Sequence, residues 1–249
     1  MESALRTEGL KRLFGGLAAV NGVSLECAVG RVHAVIGPNG AGKTTLINLL
    51  SGDLAPSAGR IEILGREVTG LPPHRISQLG VGRSYQRTNV FMRFSAFENC
   101  RLAAQSRLAT SMRFVRSAAS YREIQGAAEH ALDLCGLNAK KNTTAAALSH
   151  GERRQLEVAM TLATSPRVLL LDEPLAGMGA EEAERMVELL RRLGASHAML
   201  LVEHDMDAVF AIAATLTVMV DGRVLASGTP AEMRANAQVQ EAYLGAADD

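Results

Sequence analysis

The apolar residues of this chain fall into two rhythms. Residues 1 to about 35 alternate loosely between apolar and polar positions, with glycines at 9, 15, 16, 22 and 30. That spacing predicts short antiparallel strands joined by turns. Ile61-Glu62-Ile63-Leu64-Gly65 predicts another such strand. Residues 168–171 and 197–202 are instead short, continuous apolar runs, as expected of strands buried on both faces of a parallel sheet. Residues 31–36 form a further β-rich run, and 45–50 read as a helix. From Glu98 to about Gln125 arginine, alanine and serine dominate, which predicts partly exposed helix. A second helix over 127–135 stops at Gly136. Asp221-Gly222 between the runs 215–220 and 223–226 signals a hairpin, and Thr229-Pro230 opens a short helix. The mixture implies an α/β fold with a mainly parallel core sheet and an antiparallel β portion.

Between the run at 31–36 and the helix at 45–50 lies Gly37-Pro38-Asn39-Gly40-Ala41-Gly42-Lys43-Thr44. It matches the phosphate-cradling pattern G-x-x-x-x-G-K-[ST] at every fixed position and has the strand–loop–helix context the pattern requires. Glycines let the backbone bring N–H groups close to a polyphosphate, and the helix N-terminus adds its own unpaired N–H groups and positive dipole end. Lys43 supplies a point charge for the β/γ-phosphates and the Thr44 hydroxyl a ligand for Mg²⁺. The run at 168–171 ends in Asp172-Glu173-Pro174, which puts two acids at the carboxyl end of a buried strand, where ligands of open α/β sheets gather. Asp172 suits holding Mg²⁺ through water, and Glu173 suits orienting or deprotonating an attacking water. The separation of Lys43 from Asp172 exceeds what a minimal domain of this kind needs, so residues from about 88 to 150 read as an insertion.

Composition narrows the picture. Lys+Arg (26) balance Asp+Glu (26), so the chain lacks the basic footprint of a nucleic-acid binder. Cys27, Cys100 and Cys135 are scattered, which suits buried thiols in a reducing compartment better than disulfides or zinc. No signal peptide is visible. The longest uncharged apolar run, 208–220, contains Thr215 and Thr217 and is too short to span a bilayer. A soluble chain is expected, with any membrane role coming through a partner.

Leu148-Ser149-His150-Gly151-Glu152-Arg153-Arg154-Gln155 resembles the L-S-G-G-Q signature of ABC transporter ATP-binding subunits, and the resemblance covers essentially the whole chain. Read physically, Ser149 and Glu152 form an S-x-x-E capping box that opens a helix over 153–163. The resemblance implies a P-loop ABC-ATPase cassette: a nucleotide-binding core with its β subdomain over about 1–87 and 160–249, and a helical subdomain over about 88–159. It implies that Ser149, His150, Gly151 and Glu152 meet the γ-phosphate bound by an opposed subunit. ATP is implied to rest on Gly37, Pro38, Asn39, Gly40, Ala41, Gly42, Lys43, Thr44 and Thr45, with Phe14 stacking on adenine. Gln86 resembles the glutamine that contacts Mg²⁺ and the attacking water, so Thr44, Gln86 and Asp172 form the implied metal set. His204 resembles the switch histidine, completing a catalytic group of Glu173, His204 and Lys43. Two departures stand out: His150 and Glu152 replace glycine and glutamine of the signature, and Gly179 replaces the aspartate of the loop after Pro174.

Residues 70–76, Asn89-Val90-Phe91, Glu98-Asn99, Leu175-Ala176-Gly177-Met178 and 239–245 resemble the bacterial branched-chain (hydrophobic) amino-acid uptake subfamily. Its arginine-bearing stretch, with arginines at 101, 107, 113, 116 and 122, would be an extended helical subdomain. The resemblance implies an ATPase on the cytoplasmic face of the inner membrane. Its partners would be a second ABC ATPase subunit (identical or not), two transmembrane permease subunits and, indirectly, a periplasmic or extracellular solute-binding protein, with no nucleic acid. The surface from Gln86 to Phe97, with Val90, Phe91, Phe94 and Phe97, would receive the permease's cytoplasmic helix. Urea, amides and aromatic acids stay open as cargo. A soluble non-transport ABC ATPase, a small-molecule kinase and a non-hydrolysing regulatory cassette are the competing classes.

Overall fold

The computed structural model describes residues 3–85, 89–107 and 122–244. In chain order the strands are β1 (Ser3–Phe14), β2 (Leu17–Ala28), β3 (Arg31–Ile36), β4 (Ala58–Ile63), β5 (Arg66–Glu67), β6 (Val81–Arg83), β7 (Val168–Asp172), β8 (Ala198–Val202), β9 (Thr215–Val220) and β10 (Arg223–Gly228). The helices are α1 (Lys43–Leu50), α2 (Pro73–Gln78), α3 (Ala96–Gln105), α4 (Arg122–Leu134), α5 (His150–Ala163), α6 (Ala180–Gly194), α7 (Met206–Ile212), α8 (Pro230–Ala235) and α9 (Ala237–Leu244). They form two compact units. One contains the chain up to Val81, Arg167–Glu173 and the chain from Leu190; the other contains Gly82–Pro166 and Pro174–Leu189.

The first unit holds a four-stranded antiparallel sheet, β2-β1-β4-β5, and strands β10 to β7 of a larger sheet ordered β10-β9-β3-β8-β7-β6. Where short strands were expected at the N-terminus, β1 and β2 each run for 12 residues. The register of their pairing shifts between Thr7 and Leu10 and again between Leu10 and Lys11. Gly9 and Gly22 thus mark irregularities inside a continuous ladder rather than its ends, a role glycine often takes within strands. In the larger sheet β3 pairs in parallel with both β8 and β9, and β7 pairs in parallel with β8. The hairpin at Asp221-Gly222 joins β9 to an antiparallel β10.

Successive residues of β3 serve different cores. Val35 packs with Leu170, Leu200 and Val202, with Leu5, Leu10, Ile61 and Ile63 of the antiparallel sheet, and with Leu46, Ile47, Leu49 and Leu50 of α1. Ala34 and Ile36 face the other side, with Val209, Leu216, Val218, Met233 and Val239. Burial on both faces explains why these strands read as unbroken apolar runs.

In the second unit α3, α4 and α5 pack against one another. The helix expected at 127 starts at Arg122, with Gly126 inside it. The helix expected through 108–121 lies outside the described residues. Residues 160–166 and 174–189, assigned to the core by the sequence-based division, fall in this unit. Asn99, fully buried, receives the Phe91 amide on its Oδ1 at 2.8 Å and donates to the Phe91 and Ser95 carbonyls at 3.1 and 2.9 Å. On α5 a buried Arg154 donates to Glu157 at 2.9 Å and to the Tyr85 carbonyl at 3.3 Å, while Glu157 accepts from the Asn89 amide at 3.1 Å. Burial pushes the Glu157 carboxyl above its ordinary value, and Arg154 only partly offsets this.

The three cysteines are buried, none of them in a disulfide, and burial pushes the Cys27 and Cys100 thiols up to about 12. Leu170 is wholly buried at the centre of the main core. Leu170→Ala is expected to lower unfolding stability by about 3 kcal/mol, read from the midpoint of urea denaturation.

Candidate functional site

Strand register assembles the site in the first unit. Val35 of β3 and Asp172 of β7 both stand opposite Val202 of β8. The chain segments leaving these three strands therefore emerge at one edge, and they carry Gly37, Glu173 and His204 respectively.

Residues 37–42 form the loop between β3 and α1. Gly42, at the N-cap of α1, has φ 95°, and no side chain caps the helix there. A Cβ at Gly42 would stand 2.2 Å from the Ala19 carbonyl of β2. Both the backbone angle and the closeness of β2 therefore require glycine. Asn39, Gly40 and Thr44 are exposed, Pro38 and Thr45 half-buried, and Gly37 and Ala41 buried. The uncapped N–H groups of the first turn are thus beside open solvent, the arrangement that suits an anion. Lys43 folds back over the loop, its Nζ donating to the carbonyls of Gly37 at 2.7 Å and Pro38 at 2.9 Å. Burial holds the Lys43 ammonium below its ordinary value, and the neighbouring Glu173 and Asp172 carboxylates oppose this.

Asp172 is buried at the end of β7. Glu173 follows with φ 50°, a left-handed conformation that costs a non-glycine residue roughly 1 kcal/mol. Its amide donates to the Val202 carbonyl at 2.9 Å, which holds that turn against β8. The Glu173 carboxylate lies 4.0 Å from Nδ1 of His204. His204 is largely exposed and precedes α7, whose N-cap Asp205 accepts from the Ala208 amide at 3.1 Å. Glu203, fully buried, has its carboxylate 3.8 Å from the same Nδ1 and accepts from the His204 amide at 3.2 Å. Sequence reasoning passed over Glu203; an acid directly after an apolar strand and before a histidine was the available signal. Lys43, Asp172, Glu173 and His204 thus meet in one place. Phe14 ends β1 beside the β1–β2 turn, 45% exposed, with the Arg12 guanidinium 4.6 Å from its ring centroid. Gln86 lies outside the described residues.

A divalent cation fits the donors present. The Thr44 hydroxyl and the Asp172 carboxylate are hard oxygen donors of the kind Mg²⁺ takes.

Ser149, His150, Gly151 and Glu152 begin α5 in the second unit. The capping box forms: the Ser149 hydroxyl accepts from the Glu152 amide at 3.1 Å, and the Glu152 carboxylate accepts from the Ser149 amide at 2.9 Å. Lys140 also donates to Glu152. His150 places Nε2 3.3 Å from the Ala176 carbonyl. Burial pushes the Glu152 carboxyl up, but the hydrogen bonds from Lys140 and Ser149 outweigh it and hold the group below its ordinary value. A carboxyl depressed by folding stabilises above its unfolded pKa and loses that contribution as pH falls through the folded one. Glu152→Gln is therefore expected to cost about 0.5–1 kcal/mol at pH 7, and denaturant titrations should show the gap closing below about pH 4.

Comparison with known proteins gives this geometry a family. Residues 20–176 match the ABC transporter family model, and residues 223–249 match that of the branched-chain amino acid ATP-binding cassette transporter. The chain is 40% identical to the high-affinity branched-chain amino acid transport ATP-binding protein BraF of Pseudomonas aeruginosa, over 98% of both chains. It is 38% identical to its counterpart LivG of Escherichia coli, with the same coverage. A crystal structure of the ADP conformation of an ATP-binding cassette of an ABC transporter superposes with a TM-score of 0.87 at 27% identity, covering 98% of this chain and 100% of that one. The chain belongs to the ABC transporter family, as one of its ATP-binding cassettes.

Proposed function

We propose that this chain is the ATP-hydrolysing subunit of an importer for branched-chain or other hydrophobic amino acids. The observation that carries the reading is the convergence of Lys43, Asp172, Glu173 and His204 on the edge of the sheet from which the glycine-rich loop emerges. In this reading the Lys43 ammonium, held by two loop carbonyls, exchanges them for phosphate oxygens when ATP enters. The α1 amides receive the remaining phosphate charge, and the exposed face of Phe14 receives adenine. Thr44 and Asp172, joined by Gln86, would hold Mg²⁺, which supplies charge neutralisation on the β- and γ-phosphates. The Glu173 carboxylate, 4.0 Å from His204, orients the attacking water and takes its proton. His204, between Glu173 and Glu203, fixes that water's position.

The cargo assignment draws on the names of the relatives and on the C-terminal family match. The working assembly would pair this cassette with a second one, so that each Ser149–Glu152 segment faces the other's γ-phosphate, and would seat the pair on two permease subunits served by a solute-binding protein. Attachment to the cytoplasmic face would come through those permeases, since no described helix is long and apolar enough to cross a membrane. The surface offered to them includes Phe91, Met92 and Phe94, all exposed, with the two phenylalanine rings stacked at 5.5 Å. Val90 and Phe97 of the same stretch are half-buried. Exposed aromatic side chains around a rigid turn suit a docking anchor.

Hydrolysis tests the reading directly. In the purified transporter Glu173→Gln should lower kcat by at least about 100-fold while ATP still binds; undiminished turnover would overturn the assignment. Exchanging Phe91 and Phe94 for serine should uncouple transport, measured as amino acid carried per ATP split, with ATP affinity unchanged. An equal fall in ATP affinity would mark them as packing residues of the helical unit.

A further inference from the structure

The signature helix already holds an anion, and the anion belongs to the chain itself. The Ser149 hydroxyl has one proton, and it is donated to Oε1 of Glu182 at 2.9 Å. The lone-pair side of the same hydroxyl is taken by the Glu152 amide. The Glu182 carboxylate rests directly on Gly151, so close that a Cβ there would stand 2.3–2.6 Å from its carboxyl atoms. Its second oxygen lies 3.5 Å from the Gly179 amide. Glu182 therefore stands over the start of α5, on the serine and the glycine that the family signature supplies, where the helix dipole favours negative charge.

Lys140 goes to Glu152, and Arg185 approaches Glu181 at 3.7 Å. Among the described residues, the hydrogen-bond donors to Glu182 are a hydroxyl and a distant amide, both neutral. A triphosphate, with more charge and more acceptor oxygens, competes well for such donors. Glu182 sits half-buried in the first turn of α6, so its side chain can swing to solvent without disturbing that helix. Gly179, standing where the family has aspartate, offers no side chain to hold or repel it.

We propose that Glu182 occupies the anion seat of the signature helix in the unpaired chain and must vacate it before an opposed subunit's triphosphate can enter. Glu182 is thus a built-in competitor that raises the ATP concentration needed for pairing. This rests on the proposed reading that Ser149 meets the γ-phosphate of an opposed subunit.

The test uses the full chain in a Glu173→Gln background, where bound ATP persists, with ATP-driven self-association followed by light scattering. A second reading of the same midpoint comes from half-saturating ATP in the assembled transporter. Glu182→Ala should shift the midpoint to about tenfold lower ATP, the lower end for one released hydrogen bond to a charged group. Glu182→Gln, which keeps the shape and loses the charge, should shift it part of the way. A midpoint unchanged or raised in both variants, with melting temperature unaltered, overturns the proposal. Ser149→Ala separates the two levels: if it impairs pairing while the Glu182 variants show no shift, only the role of Glu182 falls. If Ser149→Ala pairs as well as its parent, the opposed-subunit reading falls and takes this one with it.

Discussion

Parallel hydrogen-bonded ladders joining β3, β8 and β7 set the heights at which three chain segments leave the sheet. Because Val35, Val202 and Asp172 stand at one level, Gly37, His204 and Glu173 emerge together. A one-residue slip of any of these strands would turn its side chains to the opposite face and exchange the two cores. The buried runs 168–171 and 198–202 therefore do two things at once. Their apolar side chains lock register on both faces, and that register brings polar groups at their ends within reach of Lys43.

The polar end of the sheet is expensive to build and is supported accordingly. Lys43 is partly desolvated, and two loop carbonyls and two carboxylates compensate it. Glu173 accepts an unfavourable backbone angle that its amide bond to Val202 helps maintain. Backbone strain at Glu173 beside the buried charges of Lys43 and Asp172 suits a site shaped for a ligand.

In the second unit α5 plays the organising part. Its first turn carries the capping box, and its middle carries Arg154, Glu157 and Thr161. These bond the main chain at Tyr85, Asn89 and Arg83, on both sides of residues 86–88. One rigid helix thus touches the segment on either side of Gln86 and, through Ser149, the carboxylate of Glu182. Local capping chemistry and long-range bonds share a single element, so a shift of α5 would be felt at both places.

Several features were legible in the sequence because they are local. The glycine-rich loop, the Asp172-Glu173 pair, the S-x-x-E box, the Asp221-Gly222 hairpin and the unbroken apolar strands each depend on residues within a few positions of one another. Others were not. The glycines of β1 and β2 read as turns, yet cross-strand pairing carries the ladder through them. Helix α6 went unanticipated, and with it Glu182, whose partner Ser149 lies 33 residues away. Glu203, the Asn99 clamp and the Arg154–Glu157 pair draw their meaning from neighbours supplied by other elements. The sequence by itself determined which chemistry the chain carries, because phosphate cradles and helix caps are built from contiguous backbone. Only the tertiary structure decided which carboxylates stand beside which donors, because strand register and helix packing, not chain distance, set those separations.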